Sequence, residues 1–286
     1  MSSPGPDRPG IVRRFVASDG YRLAFRYYQA SQPKSTIVAI HGIQSHSGWY
    51  GYSSQRLADA GYSVYFPDRR GSGENGTARG HAPSAERLIN DVRQFARFVK
   101  EESKTTPSLL GLSWGGKLAL VSAAGSPELF ANLALLYPGL CARIKPNWWQ
   151  QRLLKLIATA PRSRKRVRIP GLTESLFTRQ SEWQQFIRND HLSLRYASLA
   201  FLHASVVLDE RVEVASQTMC LPSLLMLAGR DQIIDNSATR NLVRHFAGSD
   251  HTIREYEDAS HTLEFEPTRA AIFTDLIDWL DAHSSK

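Results

Sequence analysis

The residues best suited to chemistry lie in Leu109-Leu110-Gly111-Leu112-Ser113-Trp114-Gly115-Gly116-Lys117. An apolar run ends in Gly-x-Ser-x-Gly and passes straight into Lys117-Leu118-Ala119-Leu120-Val121, which reads as helix. The pattern predicts a strand, a tight turn and a helix, with a serine at the apex. Such a turn forces strained dihedrals on the serine, and Gly111 and Gly115 let strand and helix backbones approach. The helix aims its free N–H groups at negative charge developing near Ser113. A serine hydroxyl is a weak nucleophile at neutral pH and needs a base beside it. The base in turn needs an orienting acid, and the oxyanion needs two donors. Late in the chain, His245, His251, His261 and His283 are candidate bases, and Asp231 and Asp235 are candidate acids.

Positioning these groups requires a sheet. Ile11–Ala17 and Tyr21–Tyr28 are β-rich runs around Asp19-Gly20, a hairpin signal. Ser35–Ile40 reads as a buried strand ending in His41-Gly42, Gly48–Gly61 as a helix, and Tyr62–Phe66 as a strand. Ser84–Glu102 is amphipathic, with Leu88, Val92, Phe95, Phe98 and Val99 on one stripe and Ser84 as cap. Ser108–Leu112, the helix 114–124 and the strand Leu133–Tyr137 follow. From about Cys141 to Thr218 no clear strand is seen, and helical stretches alternate with a basic run. The rhythm then resumes with strand Leu221–Ala228, helix Asn236–Phe246, strand Thr252–Tyr256 and helix Pro267–Ala282. This predicts an α/β fold: a mostly parallel sheet of about eight strands flanked by helices, with an inserted helical cap. Residues 1–10 form a tail, 11–140 and 219–286 the core, and 141–218 the cap. Ligands of such sheets bind beyond the C-terminal strand ends, where His41, Ser113, the Gly229–Asp235 loop and His261 all fall.

His261 follows the last strand, whereas His251 falls at a strand start, His245 in a helix and His283 in the tail. His261 is therefore the expected base. Asp231 sits at the turn after its strand, and Asp235 is better explained as a helix N-cap. Asp231 is the favoured acid. The oxyanion donors are expected to be the N–H groups of Trp114 and Ile43. His41, Gly42, Trp114, Trp149 and Leu153 are expected to contact substrate, with the Trp114 ring walling the acyl pocket.

The chain resembles α/β-hydrolases of the monoacylglycerol lipase and lysophospholipase-like group, often filed with serine aminopeptidase S33 hydrolases. The resemblance spans roughly residues 20–282. It is carried by His41-Gly42-Ile43-Gln44-Ser45-His46-Ser47, Asp68-Arg69-Arg70-Gly71-Ser72-Gly73, Gly111–Gly116, Gly229-Arg230-Asp231 and Ser260-His261. In the cap, Asn189-Asp190-His191-Leu192 is similar to an Asn-Asp-Pro-Leu segment. The group's His-Gly-x-Gly-Glu-His is here His41-Gly42-Ile43-Gln44-Ser45-His46. The group runs Ser…Asp…His along the chain, as Ser113, Asp231 and His261 do. It implies ester hydrolysis through an acyl-enzyme, with no metal or organic cofactor. An aminopeptidase would need cap acids for a substrate ammonium; Glu174, Glu182 and Asp190 are available but form no cluster. Transfer to an alcohol other than water and a non-catalytic binding protein are the other readings.

The 286 residues, 42% hydrophobic, suffice for one large α/β domain with an insertion. Thirty-five Lys and Arg against 27 Asp and Glu make the chain basic, without zinc-type spacing or a nucleic-acid motif. Cys141 and Cys220 are expected as free thiols. The N-terminus lacks a signal-peptide core and no run is long enough to span a membrane, which predicts a cytoplasmic protein. Pro146–Ala160 places Trp149, Leu153, Leu156, Ile157 and Ala160 on one face with Trp148 beside it. Ser193–Leu208 does likewise with Tyr196, Leu199, Phe201 and Leu202. Core packing within the cap, a substrate tunnel and, for the Trp pair, an interfacial anchor all fit. Arg162-Ser163-Arg164-Lys165-Arg166-Val167-Arg168 is either a solvated face or a contact for an anionic membrane.

Overall fold

The computed structural model describes residues 9–157, 161–169 and 171–283. Ile11–Val16 (β1) and Arg22–Tyr28 (β2) form the antiparallel hairpin. Ser35–Ile40 (β3) leads through a 3₁₀ turn, Ser47–Tyr50, into Gly51–Asp59 (α1), so the expected single helix starts as a tighter turn. Tyr62–Pro67 (β4), Ala85–Ser103 (α2), Ser108–Leu112 (β5), Trp114–Ala124 (α3) and Leu133–Leu136 (β6) follow. The insertion holds Trp148–Ile157 (α4), Arg166–Arg168 (β7), Glu174–Phe177 (α5), Ser181–Asn189 (α6), Tyr196–Ser198 (β8) and Leu199–Thr218 (α7). Ser223–Ala228 (β9), Asn236–Arg244 (α8), His251–Tyr256 (β10) and Arg269–His283 (α9) complete the chain.

Eight strands make one sheet in the order β1-β2-β4-β3-β5-β6-β9-β10, antiparallel at β1/β2 and β2/β4 and parallel elsewhere. The central strands are buried on both faces, so their side chains divide by alternation between two cores. Val38, Ile40, Leu109, Leu133 and Leu135 meet α2 and α3 on one face. Ile37, Ala39, Leu110, Leu112 and Leu136 meet α1 and α9 on the other. Local caps set the helix starts. Ser84 Oγ accepts from Arg87 N–H at 3.2 Å, and Asp235 accepts from Ala238 N–H at 3.0 Å, the capping role expected of it.

The insertion differs from a purely helical reading. β7 and β8 pair antiparallel, so the basic run continues into a strand and Tyr196 precedes helix α7 rather than belonging to it. Helix α7 lies against α3, bolted by Lys117 Nζ, which donates to Asp209 Oδ1 at 2.6 Å and Ser205 Oγ at 3.0 Å. Of the readings open for helix α4, core packing fits little of its stripe. Leu154 is buried, but Trp148 is 70% exposed, Trp149 51%, Leu153 47% and Leu156 75%. Its apolar stripe therefore faces outward. Ala160 lies outside the described residues, and the Arg162 and Ile157 side chains are not described. Both cysteines are free thiols. Among the described residues, no helix is long and apolar enough to cross a membrane.

Candidate active site

β5 is completely buried, and its end turns abruptly into α3 at Ser113. Ser113 has φ 50° and ψ −126°, a left-handed conformation disfavoured for a residue with a Cβ. The turn is possible because its flanks are bare. A Cβ on Gly115 would stand 2.3 Å from the Ile40 carbonyl oxygen and 2.5 Å from that of His41. One on Gly111 would stand 2.7 Å from Ala119 Cβ. The close approach of β3, β5 and α3 thus requires glycine at both places.

The loops after β9 and β10 bring two more groups to the same edge. Asp231 Oδ2 lies 2.7 Å from His261 Nδ1, and His261 Nε2 lies 2.8 Å from Ser113 Oγ. A carboxylate only accepts, so Nδ1 carries the proton and Nε2 is free to accept from the serine hydroxyl. Asp231 is locked from behind, because its Oδ1 accepts from Ile233 N–H at 2.8 Å and Ile234 N–H at 3.0 Å. The side chains of His261 and Asp231 are fully shielded from water. The histidine loop is tied down as well: Ser260 N–H donates to Glu266 at 2.7 Å, and Ser53 N–H donates to Glu264 at 3.1 Å. Burial raises the Glu264 carboxyl to about 7.

A small cavity adjoins Ser113. Gly42, Ile43, Gln44 and Ser45 form one side, and Trp49, Tyr50, Tyr137 and Phe177 supply aromatic walls. The Tyr137 ring meets His261 edge to face at 4.9 Å, with Phe177 at 5.8 Å on the same imidazole. The cap closes over the loop: Thr262 N–H donates to the Phe177 carbonyl at 2.9 Å. Among the described residues, no cluster of three or more His, Cys, Asp or Glu is placed to hold a metal ion.

The structure brings Ser113, Asp231, His261, Gly42 and Ile43 together, and it redirects four side chains expected to touch substrate. The Trp114 indole turns away from the cavity, donating to Ser205 Oγ at 2.9 Å and packing on Phe201. The start of α3 points that side chain toward α7, so Trp114 closes the core–cap joint. His41 is buried beneath its loop, where Nε2 accepts from Arg69 N–H at 2.9 Å and Nδ1 approaches the Gly42 carbonyl at 2.8 Å. Desolvation holds its pKa well below the usual histidine range, so it is neutral. Trp149 and Leu153 sit on the outward face of α4 and do not line this cavity. The aromatic walls at Tyr137 and Phe177 escaped sequence reasoning. Tyr137 lies directly beyond a strand end, which is a usable signal, whereas nothing local to Phe177 marks it.

Residues 31–268 match the family of serine aminopeptidase S33 hydrolases. The chain belongs to that family. It is thus an α/β-hydrolase, as the arrangement of sheet and elbow requires. The chain is 23% identical to a monoacylglycerol lipase of Mycolicibacterium smegmatis, with 94% of this chain and 96% of the relative covered. It is 26% identical to the human monoglyceride lipase, covering all of this chain and 94% of the relative. The same fold occurs in the monoacylglycerol lipase of Paleococcus ferrophilus, with TM-score 0.83 and 24% identity over 92% of this chain and 99% of that one. It occurs also in a soluble variant of the monoglyceride lipase of Saccharomyces cerevisiae, with TM-score 0.86 and 19% identity over 99% of this chain and 100% of that one.

Proposed function

We propose that this protein hydrolyses carboxylic esters of apolar acyl groups, such as monoacylglycerols, lysophospholipids or simple carboxylesters, through an acyl-enzyme at Ser113. The observation that carries the reading is the continuous hydrogen-bonded line Asp231–His261–Ser113 ending at a strained serine beside an aromatic cavity. His261 Nε2 takes the Ser113 proton as Oγ attacks the ester carbonyl. The N–H groups of Ile43 and Trp114 receive the oxyanion; Trp114 N–H is free because it opens a helix. His261 then gives its proton to the leaving alcohol, and water repeats the sequence on the acyl group. The names of the relatives favour esters over peptides. So does the cavity lining, in which no carboxylate is present to hold a substrate ammonium. Asp190, one of the three cap acids considered for that role, is occupied by His46 and Trp49.

The outward stripe of α4 and the exposed Arg164, Lys165, Arg166 and Arg168 support a second element of the proposal, contact with an anionic lipid surface. Tryptophan suits the interface, and each basic side chain near an acidic bilayer contributes about 1 kcal/mol. The test of the catalytic reading is a chain-length series of p-nitrophenyl esters with wild type and Ser113→Ala. The variant is expected to keep its fold and lose turnover by at least about 10³-fold. Full turnover in that variant defeats the acyl-enzyme.

A further inference from the structure

Behind the loop that follows β3 lies a buried cation whose charge nothing in the reaction above uses. Arg69 is shielded from solvent. Its Nη2 donates to the Ile43 carbonyl at 2.9 Å and reaches the Gly42 carbonyl at 3.4 Å. The guanidinium packs over the adjoining Trp114 and Phe201 rings, with Cζ 4.8 Å and 4.6 Å from their centroids. Among the described residues it forms no ion pair with a carboxylate. Neighbouring Asp68 instead accepts from Ser47 N–H and Glu74 N–H, each at 2.7 Å. Burial works against a charge here and pulls the Arg69 pKa down to about 9, yet the group stays protonated at neutral pH.

The peptide bond turns this contact toward catalysis. In a trans peptide the C=O and N–H point in opposite directions, and the chain has no cis bond among the described residues. The Gly42 carbonyl is the far end of the peptide whose N–H belongs to Ile43. That carbonyl faces His41 Nδ1–H and Arg69, since His41 Nε2 already accepts from a backbone N–H and leaves the ring proton on Nδ1. Holding the carbonyl toward Arg69 aims Ile43 N–H the other way. Ser113 is close to this peptide: a Cβ on Gly42 would be 3.5 Å from its Oγ, and Ile43 and Ser113 line the same cavity. The next carbonyl, Ile43, is held by Arg69, and the one after it, Gln44, accepts from Leu194 N–H of the cap at 2.8 Å. Three successive peptides are thus pinned from behind, two of them by one cation. A donor on the oxygen of an amide also polarises the amide, which strengthens its N–H as a donor.

We propose that Arg69 is a positioning residue for the oxyanion hole, its guanidinium holding and polarising the Gly42 and Ile43 peptides so that Ile43 N–H meets the negative charge formed at Ser113. The proposal rests on the acyl-enzyme reading above. Its stabilisation grows only as the carbonyl oxygen becomes anionic, so its loss acts on kcat and not on substrate affinity.

The test compares wild type, Arg69→Met and Arg69→Lys on a p-nitrophenyl ester. It also measures binding of an alkyl trifluoromethyl ketone against the methyl ketone of the same chain. The fluorinated ketone adds Ser113 Oγ at its carbon, passes the serine proton to His261 and carries an anionic oxygen; the methyl ketone stays neutral. Arg69→Met is expected to lower kcat by about 10- to 100-fold with KM within about threefold. Its affinity for the trifluoromethyl ketone should fall in parallel while the methyl ketone is unaffected, and Arg69→Lys should recover part of the loss. An unchanged kcat, or equal weakening of both ketones, overturns the proposal and leaves Arg69 a packing residue. Should Arg69→Met fail to fold, Arg69→Lys decides: its ammonium keeps the charge without the planar fork, and an unchanged kcat overturns the proposal. A wild type that binds the two ketones equally defeats the acyl-enzyme reading itself, whatever the variants do.

Discussion

The indole Nε1 of Trp49 donates to Asp190 Oδ2 at 2.7 Å, joining the wall of the cavity beside Ser113 to the cap. The same oxygen lies 3.0 Å from His46 Nε2 and accepts from Ser193 Oγ at 2.9 Å, while Oδ1 accepts from Leu192 N–H at 2.9 Å. Burial alone would raise the Asp190 pKa, but these donors, His46 first, hold it well below the usual carboxylate range. A depressed folded-state pKa contributes stability above the unfolded value, and that contribution is lost as pH falls through the folded one. Asp190→Asn should therefore destabilise the protein at pH 7 by on the order of 2–3 kcal/mol, read in urea unfolding, with the difference shrinking in strong acid. Equal stabilities at pH 7 would show that the cap does not depend on this latch.

Asp231 holds the proton of His261 on Nδ1. An amide at this position offers a donor to the ring and stabilises the wrong tautomer. Asp231→Asn is expected to lower kcat by about 10⁴-fold with little change in melting temperature. Steady-state ester hydrolysis with parallel thermal unfolding checks both halves of this expectation.

Glu264 lies buried three residues beyond His261, with its carboxyl raised to about 7. Its folded state binds a proton more tightly than the unfolded chain does. Stability therefore declines as pH rises from about 4.5 to about 7, and the penalty is fully present above that window. Glu264→Gln should be the more stable form at pH 8, by up to about 3 kcal/mol, and should match wild type near pH 4.5. Melting curves at the two pH values suffice, and a variant no more stable at pH 8 rejects the buried-charge penalty.

The exposed stripe of α4 together with the exposed Arg164, Lys165, Arg166 and Arg168 predicts a salt-dependent membrane contact. Replacing Trp148 and Trp149 by Ser should reduce pelleting with vesicles containing anionic lipid while leaving hydrolysis of a short soluble ester unchanged. Equal pelleting with neutral and anionic vesicles removes the electrostatic part of the proposal.

Much of this protein could be read from local chemistry. Alternation and short apolar runs marked the sheet strands, because burial on both faces leaves a continuous signal. The glycines around Ser113 marked the elbow, because only a missing Cβ allows β3, β5 and α3 to approach so closely. The place of His261 and Asp231 beyond strand ends marks them as candidates, since a parallel sheet gathers its C-terminal ends on one edge. What the residue pattern could not settle was direction across long range. An apolar stripe on α4 looks the same whether it meets a core or solvent. The Trp114 indole was free to line a pocket until Ser205 and Phe201, some ninety residues later, received it. Phe177 and Asp190 reached the site only through the path of the cap, and Arg69 became a buried cation behind the loop after β3 only when α7 placed Phe201 over it. Those outcomes depend on which surfaces meet, and that is set by tertiary packing rather than by the spacing of residues along the chain.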